Sequence, residues 1–337
     1  MIRFIKWLGW SLLGLVAVLI LIGCAGGAIN WNQEPPYELT RHWGEKGSGP
    51  GQLNDPTGIA VTNNEVFVSD ARNGRIQVFD HQGQFKREFG TAGDGIGELG
   101  RPMNLTIHDE KLYVPEYMND RIQVFSLAGE SLEIIGGPGA GPGQFDAPGG
   151  VAVADNGDLF VTDFYNHRVQ HLRADGSFVK QWGSTGQPGK GVGEFTYPTD
   201  VTFADGGTLY VADGYGNRVQ AFDTEGDFLR KWGGPFALGI YGPFKGWITT
   251  VTSIAIGPEG NVFVADFYND RIQKFTADGD YLTAFGSEPE NPGHAAMAVA
   301  INSDGTVWSV SFADNRIEKW EPWGRLDLPK LTPIPYI

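Results

Sequence analysis

The chain is 337 residues long, and 40 acidic against 25 basic side chains leave a net charge of −15 at neutral pH. That balance excludes a phosphate-binding surface that gains from counterion release, so no nucleic-acid partner is expected. Its one cysteine, Cys24, excludes a disulfide framework, and a chain of this size must be held by buried apolar surface instead.

The N-terminus comes first. Arg3 and Lys6 precede a run from Trp7 to Ile29 with no charge across 23 positions, long enough to span a bilayer. Within it, Leu21-Ile22-Gly23-Cys24 resembles the bacterial lipobox, which implies lipid attachment at Cys24; the alternative is an uncleaved transmembrane helix. Either way residues 1–29 form an anchor with positive charge inside, and the rest is extracytoplasmic, in a bacterial periplasm or at the cell surface. Residues 30–36, with two prolines, read as a tether. All 40 acidic residues and 23 of the 25 basic ones follow the anchor, so the exported part carries 23 − 40 = −17. Such a charge opposes flat association with anionic lipid.

A repeat occupies the next stretch. Asp70…Arg75-Ile76-Gln77, Glu116…Arg121-Ile122-Gln123, Asp163…Arg168-Val169-Gln170, Asp213…Arg218-Val219-Gln220, Asp266…Arg271-Ile272-Gln273 and Ser311…Arg316-Ile317-Glu318 are six copies. The Arg positions step by 46, 47, 50, 53 and 45 residues. A period of this size with several short strands per copy predicts a β-propeller. Blade three illustrates it with strands over 151–153, 159–161, 169–172 and 178–182, separated by turns at Asp155-Asn156-Gly157 and Ala174-Asp175-Gly176. No sustained 3.6-residue pattern follows residue 30, so helices should be nearly absent.

Closure is also readable. No fourth-strand pattern follows Ile317–Trp320, while Tyr37–Gly44, ahead of the first copy, matches fourth strands such as Phe228–Gly233. The N-terminal strand is expected to complete the last blade and remove the sheet edges. The expectation is an all-β, six-bladed propeller over 37–324, with a Pro-rich tail at 325–337. Pro56-Thr57-Gly58-Ile59-Ala60-Val61 and Arg75-Ile76-Gln77-Val78-Phe79-Asp80 resemble the NHL-repeat family of six-bladed propellers. The resemblance implies the fold; family roles range from RNA binding to lyases and sensor domains, so it leaves function open.

Five features are candidates for chemistry. In the Asp/Arg ladder (Asp70, Arg75, Glu116, Arg121, Asp163, Arg168, Asp213, Arg218, Asp266, Arg271, Arg316), each Arg is expected to brace its blade's turn. The glycine-rich runs lack a following helix and the Lys-[Ser/Thr] of a P-loop, and read as blade connectors. At the mouth of the innermost strands stand Gly58, Asn104, Gly150, Asp200, Ser253 and Ala298; the polar exceptions Asn104, Asp200 and Ser253 are placed to converge on the channel. Hydrolases of the gluconolactonase type, which these residues resemble, hold a divalent cation there, but this oxygen set falls short of a calcium shell, and no metal or cofactor is expected. The turn after each second strand carries Tyr117, Phe164, Tyr165, Tyr215, Phe267, Tyr268 and Phe312, a candidate recognition rim. Between Trp232-Gly233 and Ser253, the usual connector reads as replaced by a loop bearing Phe236, Tyr241, Phe244 and Trp247.

The six histidines fall at unrelated repeat positions and do not match the three-histidine zinc arrangement of the propeller amidating lyases; His294 lies in a divergent run of blade six. The expectation is a membrane-anchored recognition or scaffold module whose partner is a membrane-associated or extracytoplasmic protein. The alternative is a metal-assisted lactonase- or lyase-like enzyme using the channel.

Overall fold

The computed structural model describes residues 33–204, 206–286 and 296–324. The segment with Cys24, residue His294 and the tail from 325 lie outside the described residues.

Short alternating strands and glycine turns fold into six four-stranded antiparallel sheets. Blade one runs Pro56–Val61, Glu65–Asp70, Arg75–Asp80 and Phe85–Phe89, and blade two Thr106–His108, Lys111–Glu116, Arg121–Ser126 and Ser131–Gly136. Blade three holds Pro148–Val153, Leu159–Asp163, Arg168–Leu172 and Phe178–Gly183; blade four holds Pro198–Ala204, Thr208–Asp213, Arg218–Phe222 and Phe228–Trp232. Blade five comprises Val251–Ile256, Val262–Asp266, Arg271–Phe275 and Tyr281–Phe285. In blade six, Ala296–Ile301, Val307–Ser311 and Arg316–Pro322 are completed by Tyr37–Trp43, with Leu39 opposite Trp320 and Trp43 opposite Ile317. The third strand of blade six therefore extends two residues beyond Trp320, because Tyr37 pairs with Pro322. Among the described residues the only helices are single 3-10 turns at Ala71–Asn73, Pro235–Ala237 and Phe267–Asn269.

The core lies between blades. Tyr210, Val219 and Trp232 of blade four pack on Ile254, Val264 and Phe275 of blade five. Val66, Val68 and Phe79 of blade one meet Trp308, Val310 and Ile317 of blade six. Each such side chain contributes about 1.5–3 kcal/mol on burial, so stability is distributed around the ring. The closing strand joins two interfaces: Tyr37 stacks on Phe285 with ring centroids 4.6 Å apart, and Trp43 lies 5.8 Å from Trp308 and 6.0 Å from Phe79.

The axis is crowded. A Cβ on Gly58 would sit 2.1 Å from Met103 O, and one on Gly150 would sit 2.2 Å from Asp200 Oδ1. Larger residues are excluded at both positions. Because every blade is a meander, the starts of the first strands, the second-to-third-strand turns and the blade connectors share one face. That connector face carries the candidate site.

Candidate functional site

The ladder fixes the connector face. The Nε of Arg75, Arg121, Arg168, Arg218 and Arg271 donates to Asp70, Glu116, Asp163, Asp213 and Asp266 respectively, at 2.7–2.9 Å. The guanidinium then reaches the preceding glycine-rich connector; Arg168 Nη2 donates to Gly141 O and Gln144 O, both at 2.9 Å. Asp163 Oδ1 accepts the Asp146 N–H at 2.8 Å, and Gln170 accepts the Gly143 N–H while donating to Gln144 O. One buried carboxylate, one Arg and one Gln thus satisfy a connector that has few side chains of its own. Burial pushes Asp163 and Asp266 above the usual carboxylate range and Asp213 up to about 6, with the Arg beside each pulling the other way. Blade six departs: Ser311 has no charge, and Arg316 pairs instead with Glu318 at 2.9 Å and Asp314 at 3.3 Å.

A second set of bonds joins neighbouring blades. The residue before the ladder Arg has a left-handed backbone at Asp120, His167, Asn217 and Asn315, with φ between 53 and 55°. Their side chains accept the N–H of Ala147, Tyr197, Thr250 and Asp55 in the next blade, at 2.8–3.1 Å. His167 uses Nδ1 for this bond, which leaves its proton on Nε2, and burial lowers its pKa. The sequence places the histidines without any common role; the signal for this one was its slot immediately before Arg168.

At the axis, Asn104 Nδ2 donates to Thr252 O at 3.0 Å and lies 3.5 Å from Thr199 O, reaching from blade two to blades four and five. Its side chain therefore lies across the channel. Those two threonines immediately precede Ser253 and Asp200; Asp200 and Ser253 bond each other, while Asn104 meets the backbone just ahead of them. Asp200 Oδ1 accepts the Val201 N–H at 2.9 Å, and its Oδ2 accepts the Ile254 N–H at 3.0 Å. Burial pushes the Asp200 carboxyl up to about 7, against the bonds from Ile254, Ser253 and Val201. Among the described residues no group of three His, Cys, Asp or Glu side chains is placed to hold a metal ion.

Above Asn104 the rim aromatics enclose a cup of about 220 Å³. Tyr117, Phe164, Tyr215, Phe267, Tyr268 and Phe312 line it together with Met103, Thr199, Thr252, Met297 and the exposed Arg101, whose guanidinium lies over the Tyr117 ring. The rings touch from blade to blade. Tyr117 meets Phe164 at 6.3 Å, Phe164 meets Tyr215 at 6.3 Å, and Phe267 meets Phe312 at 6.1 Å. The Tyr117 and Tyr165 hydroxyls are 2.5 Å apart, and Tyr215 is bonded to Tyr268. In each pair one ring packs and the other is exposed: Tyr165 and Tyr268 are open, Phe164 and Phe267 half-buried. The arc covers blades two to six and is interrupted at blade one, where Arg72 instead pairs with Asp55 at 2.6 Å. Asn104 Oδ1 is buried, with no donor among the described residues. The cup thus combines an aromatic wall with the buried Asn104 amide beneath it.

The blade-five connector differs from the sequence reading. It is interrupted, not replaced. Gly246 N–H donates to Gln273 Oε1 at 3.0 Å, as Gly51 does to Gln77, and Arg271 donates to Phe244 O and Trp247 O. Phe244 and Trp247 therefore occupy ordinary connector slots, and the extra length lies within residues 234–241, which stand where blade one has only Glu45 and Lys46. The sequence signal was hidden because aromatic side chains stand where other blades have Gly49 and Gln52. Trp247 packs on Phe244 at 4.8 Å, while Phe236, Tyr241 and Phe244 are exposed.

Comparison with known proteins agrees with this architecture. The family model of the NHL repeat matches residues 53–79, 145–172 and 195–222, in blades one, three and four. A 45-residue stretch is 47% identical to Protein brain tumor of Drosophila melanogaster, taking in 13% of this chain and 4% of that protein. The chain thus spans a small fraction of that relative. A streptogramin B lyase structure is similar at a TM-score of 0.56 and 16% identity, over 85% of this chain and 97% of the lyase. A structural-genomics protein of unknown function from Bacteroides thetaiotaomicron is similar at 0.64 and 14% identity, over 84% and 75%. At these identities the likeness is one of fold alone.

Proposed function

We propose that this chain, an NHL-repeat six-bladed β-propeller, is an extracytoplasmic, membrane-anchored recognition module that seats its ligand in the aromatic cup. The observation that carries the reading is the convergence of rings from five blades over a channel crossed by Asn104. Aromatic side chains around a desolvated centre are the groups that most often dominate binding energy. Here they are framed on a rigid ring, so little ordering accompanies binding. The partner in this reading is a membrane-associated or extracytoplasmic protein that inserts an apolar group into the aromatic cup.

The test is affinity purification of the full chain from detergent-solubilised membranes. Tyr215→Ala with Phe267→Ala should lose a partner captured by wild type while circular dichroism stays unchanged. Retention of the same partner by a folded double variant rejects the cup.

A channel enzyme is the second reading, and the raised pKa of Asp200 is the observation in its favour. Against it, both oxygens of Asp200 already accept backbone N–H bonds. Asp200→Asn should therefore leave partner capture intact.

A further inference from the structure

Residues 234–241 form an exposed apolar surface beside the point where the N-terminal chain joins the propeller. Phe236, Leu238, Ile240 and Tyr241, with Phe244 next to them, are between 47 and 83% exposed. The insertion is compact. Gly234 N–H donates to Gly246 O at 3.3 Å, closing the loop on its own connector. Ala237 is buried, its carbonyl faces Arg218 Nη1, and Gly239 O accepts from Asn217. Phe236 and Ala237 both hold left-handed backbones, φ 57 and 48°. The polar backbone is thus turned inward and the apolar side chains outward, in a conformation that is strained for non-glycine residues.

From Gly234 to Trp247 the only charge is Lys245, and its Nζ donates to Gln33 Oε1 at 3.0 Å. Glu34 is tied to the same blade through Lys274 Nζ at 2.6 Å, and its N–H donates to Leu282 O. The chain therefore enters the propeller against blade five, one residue from Phe244. Ile29, the end of the uncharged run, is four residues before Gln33, a reach of at most about 14 Å. If the anchor is instead a lipid on Cys24, the reach is nine residues, about 30 Å. In both cases the tether leaves from the edge that carries the exposed rings. Trp31 stands in this short link, a residue type enriched at membrane interfaces.

We infer that the blade-five insertion is a second membrane contact: Phe236, Leu238, Ile240 and Tyr241 dip into the bilayer interface and hold the propeller with its blade-four and blade-five edge down. The occupant is the lipid surface, and this rests on the anchored reading proposed above. A neutral apolar loop needs no basic patch to enter the interface, so the acidic exterior does not oppose it. Docked this way, the cup opens at the connector face and stays accessible to a partner in the same membrane.

The experiment uses the full chain reconstituted in phosphatidylcholine vesicles, with p-benzoylphenylalanine placed singly at Phe236, at Ile240, or at Glu130, exposed in the outer turn of blade two across the ring. Flotation reports the anchor, and mass spectrometry after irradiation reports lipid adducts. The inference expects flotation in all three cases and lipid adducts several-fold higher at 236 and 240 than at 130. Flotation with equal adducts at the three positions, or with protein adducts alone at 236 and 240, overturns the docking and leaves the anchor standing. A chain that does not float overturns both.

Discussion

Asp200 shows how one side chain at the axis shapes both stability and its dependence on pH. It is 6% exposed, and among the described residues its partners are the N–H groups of Val201 and Ile254 and the Ser253 hydroxyl. Its neighbour Gly150 has room for no side chain because the Asp200 carboxylate occupies that space. Desolvation raises the folded-state pKa to about 7, above its unfolded value of about 3.9. The native state then binds more protons than the unfolded state between those limits, so this group's contribution falls as pH rises from about 4 to about 7. The penalty reaches about 4 kcal/mol once the carboxyl is ionised. Asn at this position does not titrate. Urea denaturation should therefore show Asp200→Asn gaining on wild type between pH 5 and pH 8, whichever is more stable at pH 5. Parallel stability curves for the two proteins across that range would remove the raised pKa from the account.

The blade is the next scale, and its working part is a connector held by a ladder. Arg168 is 1% exposed and makes bonds to Asp163, Gln181, Gly141 and Gln144. Arg168→Ala leaves a buried carboxylate without its cation and takes one of two donors from each of the Gly141 and Gln144 carbonyls, so a loss of about 3–5 kcal/mol is expected from the urea midpoint. The loss should appear in protein with no ligand added. A midpoint within error of wild type, joined to lost partner capture, would shift these residues from bracing to binding. The ladder was legible because Asp, Arg and Gln recur at fixed spacing and every copy must solve the same backbone problem. Blade six was less so: the carboxylate missing at Ser311 is replaced at Asp314 and Glu318, and no spacing rule announces that exchange. The extent of the blade-five insertion was also hidden, since register there is carried by the backbone bonds of Gly246 and Trp247 and not by side-chain identity. The rim aromatics could be listed from their turns, but not the cup itself. Arg101, Met103, Thr252 and Met297 join it from strand starts separated by whole repeats, and only the closed ring brings them together.

At the scale of the molecule, the ring stands or falls with its first strand. Tyr37–Trp43 covers the edge of Arg316–Pro322, and its two ends reach into different interfaces. Tyr37, 9% exposed, packs with Phe263 and Phe285 of blade five, while Trp43 packs between Trp308 of blade six and Phe79 of blade one. Losing a buried aromatic of this kind costs about 3–5 kcal/mol. Two of them, with a full ladder of strand hydrogen bonds, approach the 5–15 kcal/mol by which a typical domain is stable. Removal also bares a strand edge that a second copy can pair with. Deleting residues 37–44 should therefore yield no folded monomer, but aggregates or strand-exchanged oligomers in size-exclusion chromatography. The double variant Tyr37→Ala and Trp43→Ala, which keeps the backbone pairing, should remain monomeric with a melting temperature lowered by many degrees. A deletion variant that stays monomeric and melts with wild type would mean that the blades hold the ring without this strand.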